Sequence, residues 1–99
     1  VTAILEMSKN KEAFGASTVT EYKFFIHGLP DFIQGRITEM PNAGNLPFLW
    51  EVSHFWAAKP EGHFYYPSSH EFGTFEEAYE SMHAYLEGMT PHFKRNDNY

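Results

Sequence analysis

Residues 74–88 read TFEEAYESMHAYLEG, and this stretch decides how the rest of the chain must be organised. Thr74 is a good N-cap residue, because its hydroxyl can accept a backbone N–H of the first helical turn. Glu77 follows three residues later and completes a capping box. Gly88 suits the position just past the last turn, and Pro91 blocks continuation. Phe75, Ala78, Tyr79, Met82 and Leu86, joined by Tyr85, recur at helical spacing and form one apolar stripe. Glu76, Glu80, His83 and Glu87 form an opposite stripe at steps of three and four. The spacing predicts an amphipathic helix over 75–87 whose apolar side needs a second layer to cover it.

Upstream the period changes from 3.6 to 2. Thr20–His27 alternates, with Tyr22, Phe24 and Ile26 on one face and Lys23, Phe25 and His27 on the other. Gly28, Pro30 and Asp31 mark a turn. Ile33–Met40 gives a second strand with Ile33, Gly35 and Ile37 on one face, and 41–45 is a loop. Phe48–Ala58 is the longest strand candidate. Phe48, Trp50, Val52, His54 and Trp56 share one face; Leu49, Glu51, Ser53, Phe55 and Ala57 share the other. Lys59-Pro60-Glu61-Gly62 makes a turn, and His63–Tyr66 returns as a further strand ended by Pro67. The expected fold class is α+β: an antiparallel meander sheet of four strands, or five, with one C-terminal amphipathic helix on the Trp50, Val52 and Trp56 face. Residues 1–99 form a single domain. Residues 1–18 read ambiguously: Thr2–Met7 as a short strand or a helical turn, and Lys9–Ser17 as a loop or weak helix. Residues 92–99 read as a polar, frayed tail.

The 99 residues carry a net charge of −6, with thirteen acids against seven bases. Residues 61–93 hold Glu61, Glu71, Glu76, Glu77, Glu80 and Glu87 and no lysine or arginine. Nucleic-acid binding needs clustered cations to displace phosphate counterions, so direct nucleic-acid binding and anionic membrane surfaces are not expected partners. No apolar run approaches the length of a membrane span, and no basic-then-apolar leader opens the sequence. Cysteine is absent, which excludes disulfides and thiolate chemistry and fits a reducing, cytoplasmic setting. Aromatic residues make up 18% of the chain, more than one small core readily hides, so some are expected at a contact surface.

Candidate chemistry is sparse. Of six histidines, no two stand three or four residues apart, so helical metal-ligand spacing is missing. His54, His63 and His70, with Glu71, are the nearest approach to a ligand set, and scattered surface histidines are the plainer reading. Ser68-Ser69-His70-Glu71 places hydroxyl, imidazole and carboxylate in sequence, but neighbours on a loop point apart and no Gly-x-Ser-x-Gly elbow exists. The carboxylates at the helix start serve capping and solvation. No catalytic residue, metal or cofactor is assigned.

Trp50, Val52, Gly62, Phe72, Thr74, Glu77 and Ala78 carry a pattern that resembles small three-stranded DNA-binding domains such as integrase arm-binding modules, in which a hairpin leads through Gly-x-Phe-Thr-x-x-Glu-Ala into a capped helix. The resemblance implies a sheet turning into a helix. Its DNA-binding role does not carry over, because Glu51, Ser53 and Glu61 stand where such domains need basic strands. In size and charge the chain is also similar in type to phage-encoded inhibitors of nucleic-acid-handling machinery, anti-CRISPR proteins among them. The resulting expectation is a non-enzymatic protein that docks on a basic surface of a protein partner through Glu76, Glu80, Glu87 and His83, with Phe25, Phe55 and Tyr65 as exposed aromatic contacts. The alternatives are a histidine-based metal or ligand-binding domain or enzyme, and a self-associating accessory module.

Overall fold

The computed structural model describes residues 4–15, 17–29, 32–41, 44–67 and 71–99. Eight strands and one helix follow in the order β1 (Ile4–Phe14), β2 (Ser17–Ile26), β3 (Ile33–Glu39), β4 (Phe48–Val52), β5 (His54–Ala57), β6 (Phe64–Tyr65), β7 (Glu71–Phe72), α1 (Phe75–Glu87) and β8 (Phe93–Arg95). The main sheet is antiparallel in the order β1-β2-β3-β4-β7, and a small sheet has the order β6-β5-β8. The α+β architecture, the meander and the helix over 75–87 agree with the sequence pattern.

Three segments depart from expectation. The strand alternative for Thr2–Met7 holds over its described part but runs on through the segment expected as loop or weak helix, so that Ile4–Phe14 is one long edge strand paired with β2, and Gly15 opens the turn at φ 63°. The alternation that would betray this strand is broken by a bulge at Met7, where the register shifts between Glu6 and Ser8. Nor is the long Phe48–Ala58 strand continuous: it breaks at Ser53 and its halves enter different sheets. The tail is not frayed, since β8 pairs with β5 and Asn96 is buried.

Core positions follow the strand period. Tyr22, Phe24 and Ile26 of β2, Ile33 and Ile37 of β3, and Trp50 and Val52 of β4 are buried beneath Ala78, Met82 and Leu86 of the helix. Helix α1 lies across β3, β4 and β7. Gly35 permits this closeness: a methyl there would stand 2.7 Å from Met82 Sδ and 3.3 Å from the Phe24 ring. Gly88 has a similar part at the other end. Its backbone is right-handed (φ −84°), so it is not needed as a left-handed cap; a methyl there would meet the Trp56 ring at 2.6 Å. Both indoles are fastened to the helix, Trp50 Nε1 donating to Ser81 Oγ at 3.1 Å and Trp56 Nε1 to the Tyr85 carbonyl at 3.0 Å.

Ser53 makes the corner between the sheets. Its N–H donates to the Gln34 carbonyl at 2.8 Å, continuing the β3 ladder, but its own carbonyl turns away and accepts the Asn96 N–H at 2.8 Å. The acceptor that Gln34 N–H would otherwise lose is supplied by Ser53 Oγ, also at 2.8 Å. That hydroxyl also lies 2.8 Å from His54 Nδ1. Asn96 completes the corner by donating its side-chain amide to the Val52 carbonyl at 2.9 Å. Beyond it Tyr99 reaches the back of the main sheet, where the Arg36 guanidinium stacks 4.3 Å from its ring. Arg36 also pairs with Glu51 through both carboxylate oxygens. Ser53→Ala is therefore expected to leave the half-buried Gln34 N–H without its acceptor and to cost about 1–3 kcal/mol, read as a lower urea midpoint at unchanged slope.

Candidate functional site

The acidic stripe of α1 does not stand diametrically opposite the apolar one. Glu76, Glu80, His83 and Glu87 run down the flank next to Tyr79, and the Glu76 and Glu80 end of that flank faces the β1–β2 hairpin. Because the helix sits over β3 and β4, the helix-facing side of β1 and β2 beside it is left as the floor of a groove. Tyr22 forms the centre of the floor. Glu6 and Lys9 enter from β1, and Phe75, Glu76, Tyr79 and Glu80 form the helical wall. The groove continues along the helix past Tyr79 and Glu80 to His83 and Glu87.

The four stripe residues are not equivalent. Glu76 and Glu80 are exposed and form no salt bridge among the described residues. Glu87 is exposed but engaged, with His83 Nδ1 2.8 Å from its Oε1 across one helical turn. Glu77 belongs to the cap: its N–H donates to Thr74 Oγ1 at 3.2 Å, and the Thr74 hydroxyl donates to its carboxylate at 3.0 Å.

Two tyrosines mark the groove as a place where charge and burial meet. Tyr22 is 3% exposed and packs against Tyr79, with ring centroids 5.4 Å apart. Burial pushes the Tyr22 phenol up to about 12, the Glu6 carboxylate adding to the effect and Tyr79 after it. Tyr79 is raised by the same two leading causes, burial first and Glu6 second.

The expected aromatic contacts do not gather at this groove. Phe25 lies on the back of the main sheet, 39% exposed and edge-on to Phe32 at 6.3 Å. Phe55 lies in the small sheet against Tyr66 at 4.8 Å, lining a separate cleft with Trp50, Asn96 and Asn98. Tyr65 is 49% exposed and packs on Trp56, and its carbonyl accepts the Tyr85 hydroxyl on the helix flank away from the acids. The groove's own aromatics are Tyr22, Tyr79 and Phe75 instead. Glu6, Lys9 and Tyr22 escape the sequence reading as site residues. Glu6 and Lys9 lie in the segment whose alternation the bulge hides, and Tyr22 reads only as core.

The histidines stay apart. His54 packs edge-on against Phe93 at 5.4 Å. The register of β6 against β5, Phe64 opposite Ala57 and Tyr65 opposite Trp56, leaves His63 beyond the end of the paired segment, away from His54. His70 lies outside the described residues, as do Ser68 and Ser69. Among the described residues no group of three or more histidine, aspartate or glutamate side chains comes together as a metal site. Among the described residues no helix is long and apolar enough to cross a membrane. No family model, curated protein or solved structure matches the chain, so the groove is read from its chemistry alone.

The tyrosines give a direct check on this electrostatic picture. Burial leads in pushing Tyr22, Tyr85 and Tyr99 to about 12. A folded state whose phenols ionise later than the unfolded ones binds more protons between about pH 10 and 12, so stability should fall as pH rises through that window. In an NMR titration of the tyrosine ring signals, Glu6→Gln is expected to lower the pH at which Tyr22 and Tyr79 ionise, part-way toward the ordinary value, and to leave Tyr85 and Tyr99 unmoved. Unchanged Tyr22 and Tyr79 curves would remove Glu6 from the groove.

Proposed function

We propose that the chain is a non-enzymatic binding protein that docks on a basic surface of a protein partner through the groove between α1 and the β1–β2 hairpin. The observation that carries this reading is the placement of Glu76 and Glu80: exposed, without a salt bridge among the described residues, and beside aromatic surface. Exposed carboxylates that no close ion pair neutralises leave a field that steers a cationic partner, and the adjacent rings supply apolar area once contact is made. Glu6 extends the patch on the strand side, and Glu87 with His83 extends it down the helix.

A basic surface on another protein is commonly one that holds nucleic acid, and a body of this charge seated on it would exclude the phosphates. The proposed biological role is accordingly an inhibitor of nucleic-acid-handling machinery, of the phage-borne, anti-CRISPR-like type. The groove chemistry supports a cationic partner.

The test is fluorescence anisotropy with a labelled hexalysine peptide. Wild-type protein is expected to bind it, with affinity falling as salt rises. The double reversal Glu76→Lys and Glu80→Lys should weaken binding by about tenfold or more, as expected for two like-charge contacts. A charge-matched control, Glu12→Lys with Glu61→Lys outside the groove, should weaken it far less. Equal losses in the two double variants would reduce the effect to net charge and reject the groove.

A second reading, self-association, has its own observation. Leu5, 58% exposed, stands opposite Phe25 across β1–β2, and Phe25 meets Phe32, which is 48% exposed. These residues form an apolar patch on the back of the sheet, away from the groove. If this patch pairs copies, light scattering over a wide concentration range will give a rising mass that Leu5→Lys abolishes. A constant monomer mass rejects self-association.

A further inference from the structure

We infer that Lys9 is a built-in competitor for the groove, occupying the place where the ammonium or guanidinium of a partner's lysine or arginine is recognised. The inference rests on the docking reading above and adds two things to it: the ring face of Tyr22 as the point of recognition, and an internal cation that must leave.

The bulge at Met7 is the device that makes this arrangement. Glu6 stands opposite Phe24 and Lys9 opposite Tyr22, so both share the helix-facing side of the sheet. Strict alternation from Glu6 would put Ser8 on that side and turn Lys9 to the back. One extra residue re-aims the lysine into a groove that otherwise holds Glu6, Glu76 and Glu80.

Once there, Lys9 behaves as a loosely held ligand. Its Nζ lies 5.7 Å from the centroid of the Tyr22 ring, the geometry of a cation–π contact. It forms no salt bridge among the described residues, so the ring and the general field of the carboxylates hold it rather than a close ion pair. The ring beneath it is fixed: Tyr22 is buried, stacked on Phe24 at 5.6 Å and braced by Tyr79. A rigid ring face with carboxylates around it suits any side-chain cation. Two cations over one ring repel, so a partner's lysine or arginine has to displace Lys9. The cost of displacement lowers apparent affinity by the fraction of time Lys9 occupies the ring.

The experiment repeats the hexalysine anisotropy measurement with Lys9→Met, which keeps an unbranched apolar stem against Tyr22 and removes the charge. The same loss of charge made at Lys23 (Lys23→Met) is the control, since Lys23 sits over the Phe32 ring on the opposite side of the sheet. Lys9→Met should tighten binding by about 2- to 5-fold, the size of an exposed cation–π contact. Lys23→Met should change it much less, and Lys9→Arg should leave it near wild type. Equal tightening by Lys9→Met and Lys23→Met, with Glu76→Lys/Glu80→Lys still weakening binding, would overturn the competitor role and spare the docking reading. Loss of any groove-specific effect from the glutamate reversals would overturn both.

Discussion

Met82 lies directly against the backbone of Gly35, and the position of the helix depends on that contact. A residue with a β-carbon at 35 would force the helix away from the sheet or the methionine out of its place. With glycine there, the apolar stripe Ala78, Met82 and Leu86 settles over the β3, β4 and β7 side of the sheet rather than evenly over all five strands. The first strand is then left exposed, with buried Tyr22 of the second at the margin of the covered area. The helix-facing side of these two strands becomes the floor of the groove, and one side of the helix becomes its wall. The acidic site is thus a by-product of where a sulfur atom fits.

The second organising feature is the Ser53 corner. A strand can leave one sheet for another only if the ladder groups it abandons are met elsewhere. Here a single serine does this with its side chain, while its carbonyl is taken over by Asn96. The corner lets Trp50 and Trp56 both address the same helix from different sheets, each with its indole N–H satisfied. It also places the C-terminal residues on the back of the main sheet, so the Arg36–Glu51 pair is covered by Tyr99 rather than left wholly to solvent.

The helix, its cap and the buried faces of β2 and β3 were legible in the sequence because period, capping and composition agree there. The same holds for the exposure of Glu76 and Glu80. Other features depend on contacts between residues far apart in the chain. Ser53 looks like any polar residue on a strand until Asn96, far along the chain, takes its carbonyl. The N-terminal strand was obscured locally: Leu5 and Met7 share one parity and Lys9 and Lys11 continue it, yet the bulge changes which side that parity faces. Phe25 and Tyr65 are exposed as expected and Phe55 is half-buried, but exposure alone does not say on which side of a sheet two residues stand. The two-sidedness of the molecule, carboxylates around a ring-floored groove and apolar side chains behind it, therefore had to come from the pairing itself.

The reach of Asn96 back to Val52 and Ser53 bears on the order in which the domain can assemble. The main meander joins neighbours in sequence and can condense as it emerges from a ribosome. The small sheet cannot close until residues 93–96 have arrived, because its strand β5 lies between β6 and β8. Synthesis must therefore pass residue 96 before the corner locks, and the aromatic surface of Phe55 and Trp56 stays uncovered until then.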